Sequence, residues 1–295
     1  EGKEEEEQFD AVLEKTLKLI AFAKEKKAIP FAVFKPTGFG RIDLYQIIGE
    51  GQQLNHSETE EWNRVVARFD KVCKASYDSD VALLIDSEES WMQDAVDKLV
   101  EEMMQKYNKS KPIVYNTLQM YRWDRLDYLK KLHKKAKVAG FYIGMKLVRG
   151  AYMEKENERA IEMGYPTPIC ASKEATDENY DAAVKYMVDY IDIMSVFEGT
   201  HNESSTKFLM NLMEEKGIKS TDNRIWFGQL YGMSDNISFN LSADGYNVAK
   251  YLPFGPVKDV MPYLIRRAEE NTSVAGQTSR ELAMIKAERN RRKGK

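Results

Sequence analysis

The chain has 295 residues, with 44 Lys and Arg side chains against 47 Asp and Glu, so its formal net charge is only −3. This balance predicts no large basic surface of the kind that attracts nucleic acid, and it argues against general DNA or RNA binding. Cys73 and Cys170 are too few and too far apart to suggest a disulfide framework or a thiolate metal site. The three histidines show no metal-ligand spacing. We therefore expect no metal site and a reducing compartment.

Seven short apolar runs of strand length alternate with longer amphipathic segments along the chain. The runs cover residues 30–34, 81–85, 112–116, 142–148, 193–197, 225–230 and 246–252. Helical patterns lie between them, at residues 58–76, 88–107, 122–137, 177–190, 203–215 and 257–271. Strands separated by helices predict parallel pairing with right-handed crossovers. We expect these seven strands, with room for an eighth.

Two α/β architectures fit this alternation, a closed (βα)8 barrel and an open doubly wound sheet. An open sheet that binds a dinucleotide usually carries GxGxxG after its first strand, whereas KPTGFGRID lacks the third glycine and is not followed by a clear helix. No linker or change of composition divides the chain. The sequence predicts a single barrel domain over residues 1–295, with charged tails at residues 1–10 and 280–295.

Polar residues follow most of the predicted strands at the point where each strand ends. In parallel barrels the catalytic groups lie at these carboxyl ends, where side chains from several βα units meet at one mouth. Taken singly, a polar residue after a strand is more typical of an exposed loop than of a site. As a set with opposite charges they predict a site, and they are Lys35, Asp86, Asn116, Gln119, Lys146, Arg149, His201, Gln229, Tyr231 and Tyr251.

Strand alternation separates the two basic residues of the fourth run. Lys146, Val148 and Gly150 share one face, and Arg149 lies on the other, so only one of the two basic side chains should point into the barrel. Asp86 has two compatible roles, as the N-cap of a helix that starts with Glu88 and Glu89 or as the counter-ion of Lys35.

Adjacent arginines occur in the last helical segment, YLIRRAEEN. Arg266 and Arg267 lie about 100° apart around a helix, so both can lean toward one anionic group. Guanidinium groups match a carboxylate bidentately. A solvated face, in which these arginines pair with Glu269 or Glu270, explains the pattern equally well.

Eight segments, taken in order, make the chain similar to a known family. They are FKPTG, LLIDSEES, LQMYRW, MKLVRGAYMEKE, EGTHN, GQLYGMSDN, YLPFGP and YLIRRAEENTS, and they span residues 34–273. Together they resemble the proline dehydrogenase family, the flavin-dependent enzymes of proline catabolism. The resemblance implies a distorted (βα)8 barrel whose last helix lies over the mouth at the carboxyl ends of the strands. It also implies FAD bound without a covalent link.

The resemblance further implies a binding site for L-proline. Lys35, Arg266 and Arg267 would hold the proline carboxylate, and Asp86 would pair with this basic cluster. Glu270 would fix Arg266 or Arg267 through an ion pair. The side chains that would cover the proline ring are Tyr251, Tyr263 and Leu230.

A second set of matching positions would bind the flavin. Lys146 would lie near the flavin N5 atom, where a positive charge favours the negative charge that builds up on reduction. The whole set comprises Gln119, Lys146, Val148, Arg149, Gly150, Tyr152, Thr200, His201, Asn202, Gln229 and Leu230.

The reaction implied by the resemblance is hydride transfer from C5 of L-proline to flavin N5, which yields Δ1-pyrroline-5-carboxylate. The electrons would then pass to a membrane quinone, with transient membrane contact. The expected location is the cytoplasm or the inner face of the membrane, which in a eukaryote is the mitochondrial inner membrane. The sequence predicts no oligomeric state.

Two alternatives stay open. A hydroxyproline dehydrogenase could use the same scaffold, although the bulky ring of Tyr251 would crowd a ring hydroxyl. The barrel could also be inactive and bind a small carboxylate as a sensor.

Overall fold

The structure is a computed structural model of the chain, and it describes residues 2–253, 257, 260, 261, 263–265 and 277–294. The chain divides into two compact units, residues 1–249 and residues 250–295. In the second unit, residues 257, 260, 261 and 263–265 are helical. The expectation of one domain over residues 1–295 stays a prediction.

Strands and helices alternate through the described residues. The strands are β1 Phe31–Phe34, β2 Ala82–Ile85, β3 Val114–Gln119, β4 Ile143–Val148, β5 Met194–Gly199, β6 Ile225–Leu230 and β7 Val248–Tyr251. The helices are α1 Gly2–Lys24, α2 Ile42–Gly49, α3 His56–Ser79, α4 Ser90–Tyr107, α5 Arg125–Ala139, α6 Met153–Met163, α7 Lys173–Asp189, α8 Glu203–Glu215, α9 Asp235–Ala243 and α10 Gln277–Lys293. All seven predicted strands are confirmed.

The strands form one sheet in chain order, from β1 to β7. Each pairing from β1–β2 to β5–β6 is parallel. Helices connect successive strands, as parallel neighbours require. The predicted α/β pattern of βα units is therefore confirmed.

Several predicted boundaries are wrong. Strand β3 continues to Gln119, so Asn116 lies inside the strand, where its amide donates to Asp97 of α4 at 2.8 Å. A helix, α2, begins at Ile42 inside the KPTGFGRID segment, and Leu44 and Tyr45 bury its inner face. Residues 2–10 form the start of α1 and residues 280–293 belong to α10, so both predicted tails are largely helical; their assignment as tails stays a prediction.

Aromatic rings fill the concave face of the sheet. Phe31 makes edge-to-face contacts with Tyr115, Phe197 and Trp226, at centroid distances of 5.9, 5.1 and 5.2 Å. The rings approach so closely that a Cβ on Gly144 would lie 2.6 Å from the Tyr115 ring. Alternate strand residues face the helices and join the main hydrophobic core, which includes Leu83, Ile85, Met145, Leu147 and Val196. The sheet therefore has one aromatic face and one face covered by helices, and strand alternation assigns each later site residue to one of them.

Candidate active site

Lys35 directly follows β1 and contacts two side chains from other βα units. Its Nζ donates to Glu88 Oε1 at 3.3 Å and to the Tyr152 hydroxyl at 3.4 Å. Burial alone would lower the pKa of Lys35, but the charge of Glu88, with Tyr152 and Asp86, raises it above its usual value. Lys35 therefore stays a cation at neutral pH and can attract an anion.

Glu88 is a site residue that the sequence reasoning missed. Its carboxylate, almost fully buried, also accepts hydrogen bonds from the Thr37 backbone N–H at 3.0 Å and from the Thr37 hydroxyl at 2.9 Å. Glu88 thus ties the segment after β2 to the turn after β1. The signal was present as a second acid two residues beyond Asp86, but its partner depends on how the two turns meet.

Asp86 pairs with Lys146 across the concave face. The Lys146 ammonium donates to Asp86 Oδ1, and both side chains are largely buried. The contact spans β3, which lies between β2 and β4 in the sheet. Asp86 also adds to the negative charge felt by Lys35. The predicted capping role of Asp86 is wrong, because α4 begins at Ser90 and its N-cap residue is Glu89.

Arg149 points the opposite way, into the layer of helices. Its guanidinium donates to Asp177 Oδ1 at 2.6 Å, Thr200 Oγ1 at 2.9 Å and Ser205 Oγ at 3.0 Å, and it lies 4.4 Å from the Tyr180 ring centroid. The expectation that only one of Lys146 and Arg149 enters the barrel is confirmed. Arg149 holds α7, α8 and the β5–α8 turn together.

The β5–α8 turn contains Thr200, His201 and Asn202. Asn202 caps α8, accepting from the backbone N–H groups of Ser204 at 2.8 Å and Ser205 at 3.3 Å. His201 Nδ1 lies 3.0 Å from Ser234 Oγ. The remaining N–H groups at a helix N-terminus favour a negative group such as a phosphate. The turn therefore has the chemistry of an anion site.

Gln229 supports this turn from the helix side of β6. Its Nε2 donates to the Thr200 carbonyl at 3.3 Å, and its Oε1 accepts from Ser238 Oγ at 2.9 Å. Both ends of the amide are thus engaged within the protein. The predicted flavin residue Gln229 therefore positions the β5–α8 turn in this structure, and Leu230, which is partly buried, ends β6 on the concave side.

Gln119 has a feature that suits a bound group, and Gly150 shapes the turn after β4. Gln119 is almost fully buried, and its Oε1 accepts no hydrogen bond from the described residues. Gly150 has φ of +132°, and a Cβ there would lie 2.5 Å from the Tyr121 ring. Any other residue would be strained at this position. Val148 precedes this turn on the concave side, and Tyr152 follows it as the N-cap residue of α6.

Glu198 is a fully buried acid one residue before the end of β5. Neither carboxylate oxygen has a hydrogen-bond partner among the described residues. Burial raises the pKa of this carboxyl to about 8, with the positive charge of Arg149 opposing and the charge of Asp181 adding to the effect. Sequence reasoning missed Glu198, since an acid inside a strand carries no signal of its burial.

The remaining predicted substrate residues lie in the second unit. Tyr251 is the last residue of β7 and is partly buried, and Tyr263 is helical and partly buried. Arg266, Arg267 and Glu270 lie outside the described residues, and so does most of the helix that was predicted to lie over the mouth. These roles stay predictions.

A family model described as proline dehydrogenase matches residues 1–280. The chain belongs to the proline dehydrogenase family. Oxidation of proline, the first step of proline catabolism, is the activity of this family, whose members are flavoenzymes. The family recognition made from the sequence motifs is confirmed.

Two curated relatives illustrate the similarity. The carbapenem antibiotics biosynthesis protein CarD of Pectobacterium carotovorum is 36% identical over 292 residues, which cover 99% of this chain and 75% of the relative. Mitochondrial proline dehydrogenase 1 of Homo sapiens is 39% identical over 236 residues, covering 79% of this chain and 39% of the relative. The chain thus spans less than half the length of the human proline dehydrogenase.

Solved structures place this proline dehydrogenase family member in the expected fold. Proline utilization A from Bdellovibrio bacteriovorus superposes with a TM-score of 0.79 at 23% identity, covering 92% of this chain and 29% of that protein. The predicted (βα)8 fold class is confirmed by this match. Among the residues that the structure describes, no helix is long and apolar enough to cross a membrane.

Proposed function

We propose that the chain oxidises L-proline to Δ1-pyrroline-5-carboxylate with noncovalently bound FAD. The observation that carries the proposal is the convergence of Lys35, Asp86 and Lys146 at the carboxyl ends of β1, β2 and β4, within a member of the proline dehydrogenase family. Bound FAD would supply the acceptor, its N5 atom, for the hydride that leaves C5 of proline.

Lys35 would bind the substrate carboxylate. Its ammonium stays charged because Glu88 and Tyr152 surround it, and almost half of its side chain is exposed, so a small anion can reach it. Arg266 and Arg267 would complete the carboxylate clamp, with Glu270 orienting them. Such a clamp would orient the proline ring, and Tyr251, Tyr263 and Leu230 would cover it.

The Lys146–Asp86 ion pair would set the charge beside the reacting atoms. Lys146 would stabilise negative charge that develops on the acceptor side, and Asp86 keeps the Lys146 ammonium in place. A site with several cations also disfavours a protonated substrate amine, so proline would enter with a neutral nitrogen. Its lone pair can then form the C=N bond as the hydride leaves.

The described residues fit a flavin in three respects. Gln119 offers a buried amide oxygen that no described residue uses, which suits a ring N–H donor. Gly150 lets the Tyr121 ring pack against the turn that holds Val148 and Tyr152, the two residues proposed to contact the flavin there. Thr200, His201 and Asn202 at the start of α8 would bind the phosphates, while Arg149 and Gln229 hold this turn in shape.

The proposal extends to the electron acceptor and the location. A membrane quinone would accept the electrons during transient membrane contact, in the cytoplasm or at the inner face of the membrane. If the chain is eukaryotic, this is the mitochondrial inner membrane, in line with the relatives from Homo sapiens and Arabidopsis thaliana that are named mitochondrial.

The visible spectrum tests this proposal. The purified protein, supplemented with FAD, should be yellow and should bleach on anaerobic addition of L-proline. Protein that takes up no flavin would favour a carboxylate-binding barrel, and faster bleaching by hydroxyproline would favour the hydroxyproline dehydrogenase.

A variant pair sharpens the assignment of Lys35. Lys35→Met should raise the proline KM by roughly tenfold or more and leave the flavin content unchanged, since it removes a charge-assisted contact worth about 1.5 to 3 kcal/mol. Lys130→Met changes a partly exposed lysine of α5 and is the matched control. Equal KM values in the two variants would contradict the clamp.

A further inference from the structure

A fully buried acid, Glu156, lies in the first turn of α6, outside the set of residues assigned to the substrate or the flavin. Its Oε1 accepts from the Ser90 backbone N–H at 2.7 Å, and its Oε2 accepts from the Ser90 hydroxyl at 2.5 Å. Both carboxylate oxygens are thus directed at one residue of another helix. A buried carboxylate is costly unless such hydrogen bonds compensate for its lost hydration. This pair of bonds therefore fixes the position of Ser90 relative to α6.

Glu156 caps the N-terminus of α4 from a neighbouring helix. Ser90 is the first residue of α4, and the side chain of the N-cap residue, Glu89, accepts from Lys155 Nζ at 2.5 Å. The first N–H groups of a helix have no partners within that helix, and the helix dipole favours a negative charge beside them. The Glu156 carboxylate supplies both an acceptor and this charge. The start of α4 is therefore held in place by α6.

The backbone of Glu156 is tied to Tyr152, the N-cap residue of α6. The Glu156 N–H donates to the Tyr152 carbonyl at 2.9 Å, which closes the first turn of the helix. Gly150 lies just before this turn, and the Tyr121 ring packs where a Cβ of Gly150 would lie. Glu156 and Tyr152 therefore belong to one helical turn whose approach to the sheet is fixed by packing.

Lys35 lies where the start of α4 and the start of α6 meet. Its Nζ donates to Glu88, two residues before Ser90, and to the Tyr152 hydroxyl. Both contacts are long, at 3.3 and 3.4 Å, so a small displacement of either partner would break them. Glu88 also accepts from the Thr37 backbone N–H at 3.0 Å. The position of the Lys35 ammonium thus depends on how the start of α4 packs against α6.

We propose that Glu156 is a positioning residue for the group that binds the substrate carboxylate. By capping α4 from α6, it holds Glu88 and Tyr152 in contact with Lys35, which makes the proposed contact with proline. The inference deepens the proposed function and rests on it, because Lys35 is the group through which Glu156 acts. Glu156 itself is fully buried, so it acts on the substrate only through these neighbours.

The steady-state kinetics of proline oxidation by the flavin-loaded protein test this role. Glu156→Met nearly keeps the side-chain volume and removes both acceptors, so it should raise the proline KM about fivefold, since a displacement on the order of 1 Å at a binding group has effects of this size or larger. The kcat and the flavin content should stay close to their wild-type values. Glu156→Gln keeps an acceptor oxygen for the Ser90 N–H and should restore the wild-type KM. Glu158→Met changes an exposed acid of the same helix and is the matched control.

A double variant distinguishes positioning from a general loss of stability. If Glu156 acts through Lys35, then adding Glu156→Met to Lys35→Met should raise the KM no further, because both changes remove the same interaction. A loss of folded protein alone would instead lower the kcat and the flavin content at an unchanged KM. An unchanged KM in Glu156→Met, or an effect that multiplies with that of Lys35→Met, would overturn the proposal.

Hydrogen exchange of the whole chain measures the same coupling without catalysis. In Glu156→Met the Thr37 amide should exchange several-fold faster than in wild type, because its acceptor, Glu88, is displaced with the start of α4. Ser90→Ala removes only the hydroxyl contact of a partly buried residue, and it should have a smaller effect in the same direction even if the change at Glu156 prevents folding. Unchanged Thr37 exchange in the variants that fold would refute the coupling. Failure of proline to reduce the wild-type flavin would refute the proposed function, while the exchange result would still decide whether Glu156 positions Glu88.

Discussion

Glu198 should make the stability of this protein fall as the pH rises, whereas most acidic residues make stability rise with pH. The carboxyl is fully buried on β5, on the side that faces the helices, and neither of its oxygens has a hydrogen-bond partner among the described residues. Its charged neighbours are Arg149 at the end of β4 and Asp181 on α7. Because desolvation dominates, the folded protein keeps this carboxyl protonated at neutral pH.

The size of the effect follows from the pKa values. The pKa of Glu198 rises from its usual 4.5 to about 8. A shift of one pKa unit corresponds to about 1.4 kcal/mol. The free energy of unfolding is therefore lower by at most about 5 kcal/mol once the pH exceeds 8. Below pH 4.5 both states are protonated and there is no penalty. Between these limits the folded chain binds one proton more than the unfolded chain, so stability falls as the pH rises.

Glu198→Gln removes the titration and nearly keeps the shape. The variant should gain stability over wild type by up to about 3 kcal/mol between pH 5.5 and pH 8.5, as measured by urea unfolding. Glu215→Gln, at the exposed end of α8, is the control and should show no such trend. A difference between Glu198→Gln and wild type that is flat across this range, or that falls, would refute the buried, protonated carboxyl.

Three further changes test the site. Gly150→Ala should lower the free energy of unfolding in urea by more than about 1 kcal/mol, because the φ of Gly150 is positive and the Tyr121 ring fills the space of a Cβ. Gly164 also has a positive φ, but no atom lies within 4 Å of a Cβ there, so Gly164→Ala should lower the free energy of unfolding less. Arg149→Lys keeps the charge but loses the guanidinium fork, so apoprotein titration should show FAD affinity reduced about tenfold; unchanged affinity would contradict its role at the β5–α8 turn. Glu88→Gln should lower the pKa of Lys35, so Lys35 should lose its charge, and the proline KM should rise, at a lower pH than in wild type. Superimposable pH profiles of KM would contradict the pairing of Glu88 with Lys35.

The fold was largely predictable because its signals are local. Apolar runs of strand length predicted all seven strands, and helical patterns predicted α3, α4, α5, α7 and α8. Two of the helices that were missed are short or polar, whereas α1 spans 23 residues and buries Leu13, Ile20 and Ala23. Helix α2 has eight residues, and α6 buries only Glu156 and Ala160, so neither carries a long apolar stripe.

The candidate site was predictable in part. Alternation along β4 determined that Lys146 and Arg149 face opposite ways, because the side-chain period of a strand is two. The family motifs pointed to the same strand ends. No local pattern in the sequence, however, predicts which acidic side chain pairs with which basic side chain across the mouth of the barrel.

The sequence by itself determined the βα alternation, the family and the set of polar residues at the carboxyl ends of the strands. Only the tertiary structure decided that Glu88 contacts Lys35, that Asp86 pairs with Lys146, and that Gln229 holds the β5–α8 turn. It also decided that Glu198 lies out of reach of water. These outcomes depend on the curvature of the sheet and on how the turns and helices pack, which bring together residues that are far apart in the chain.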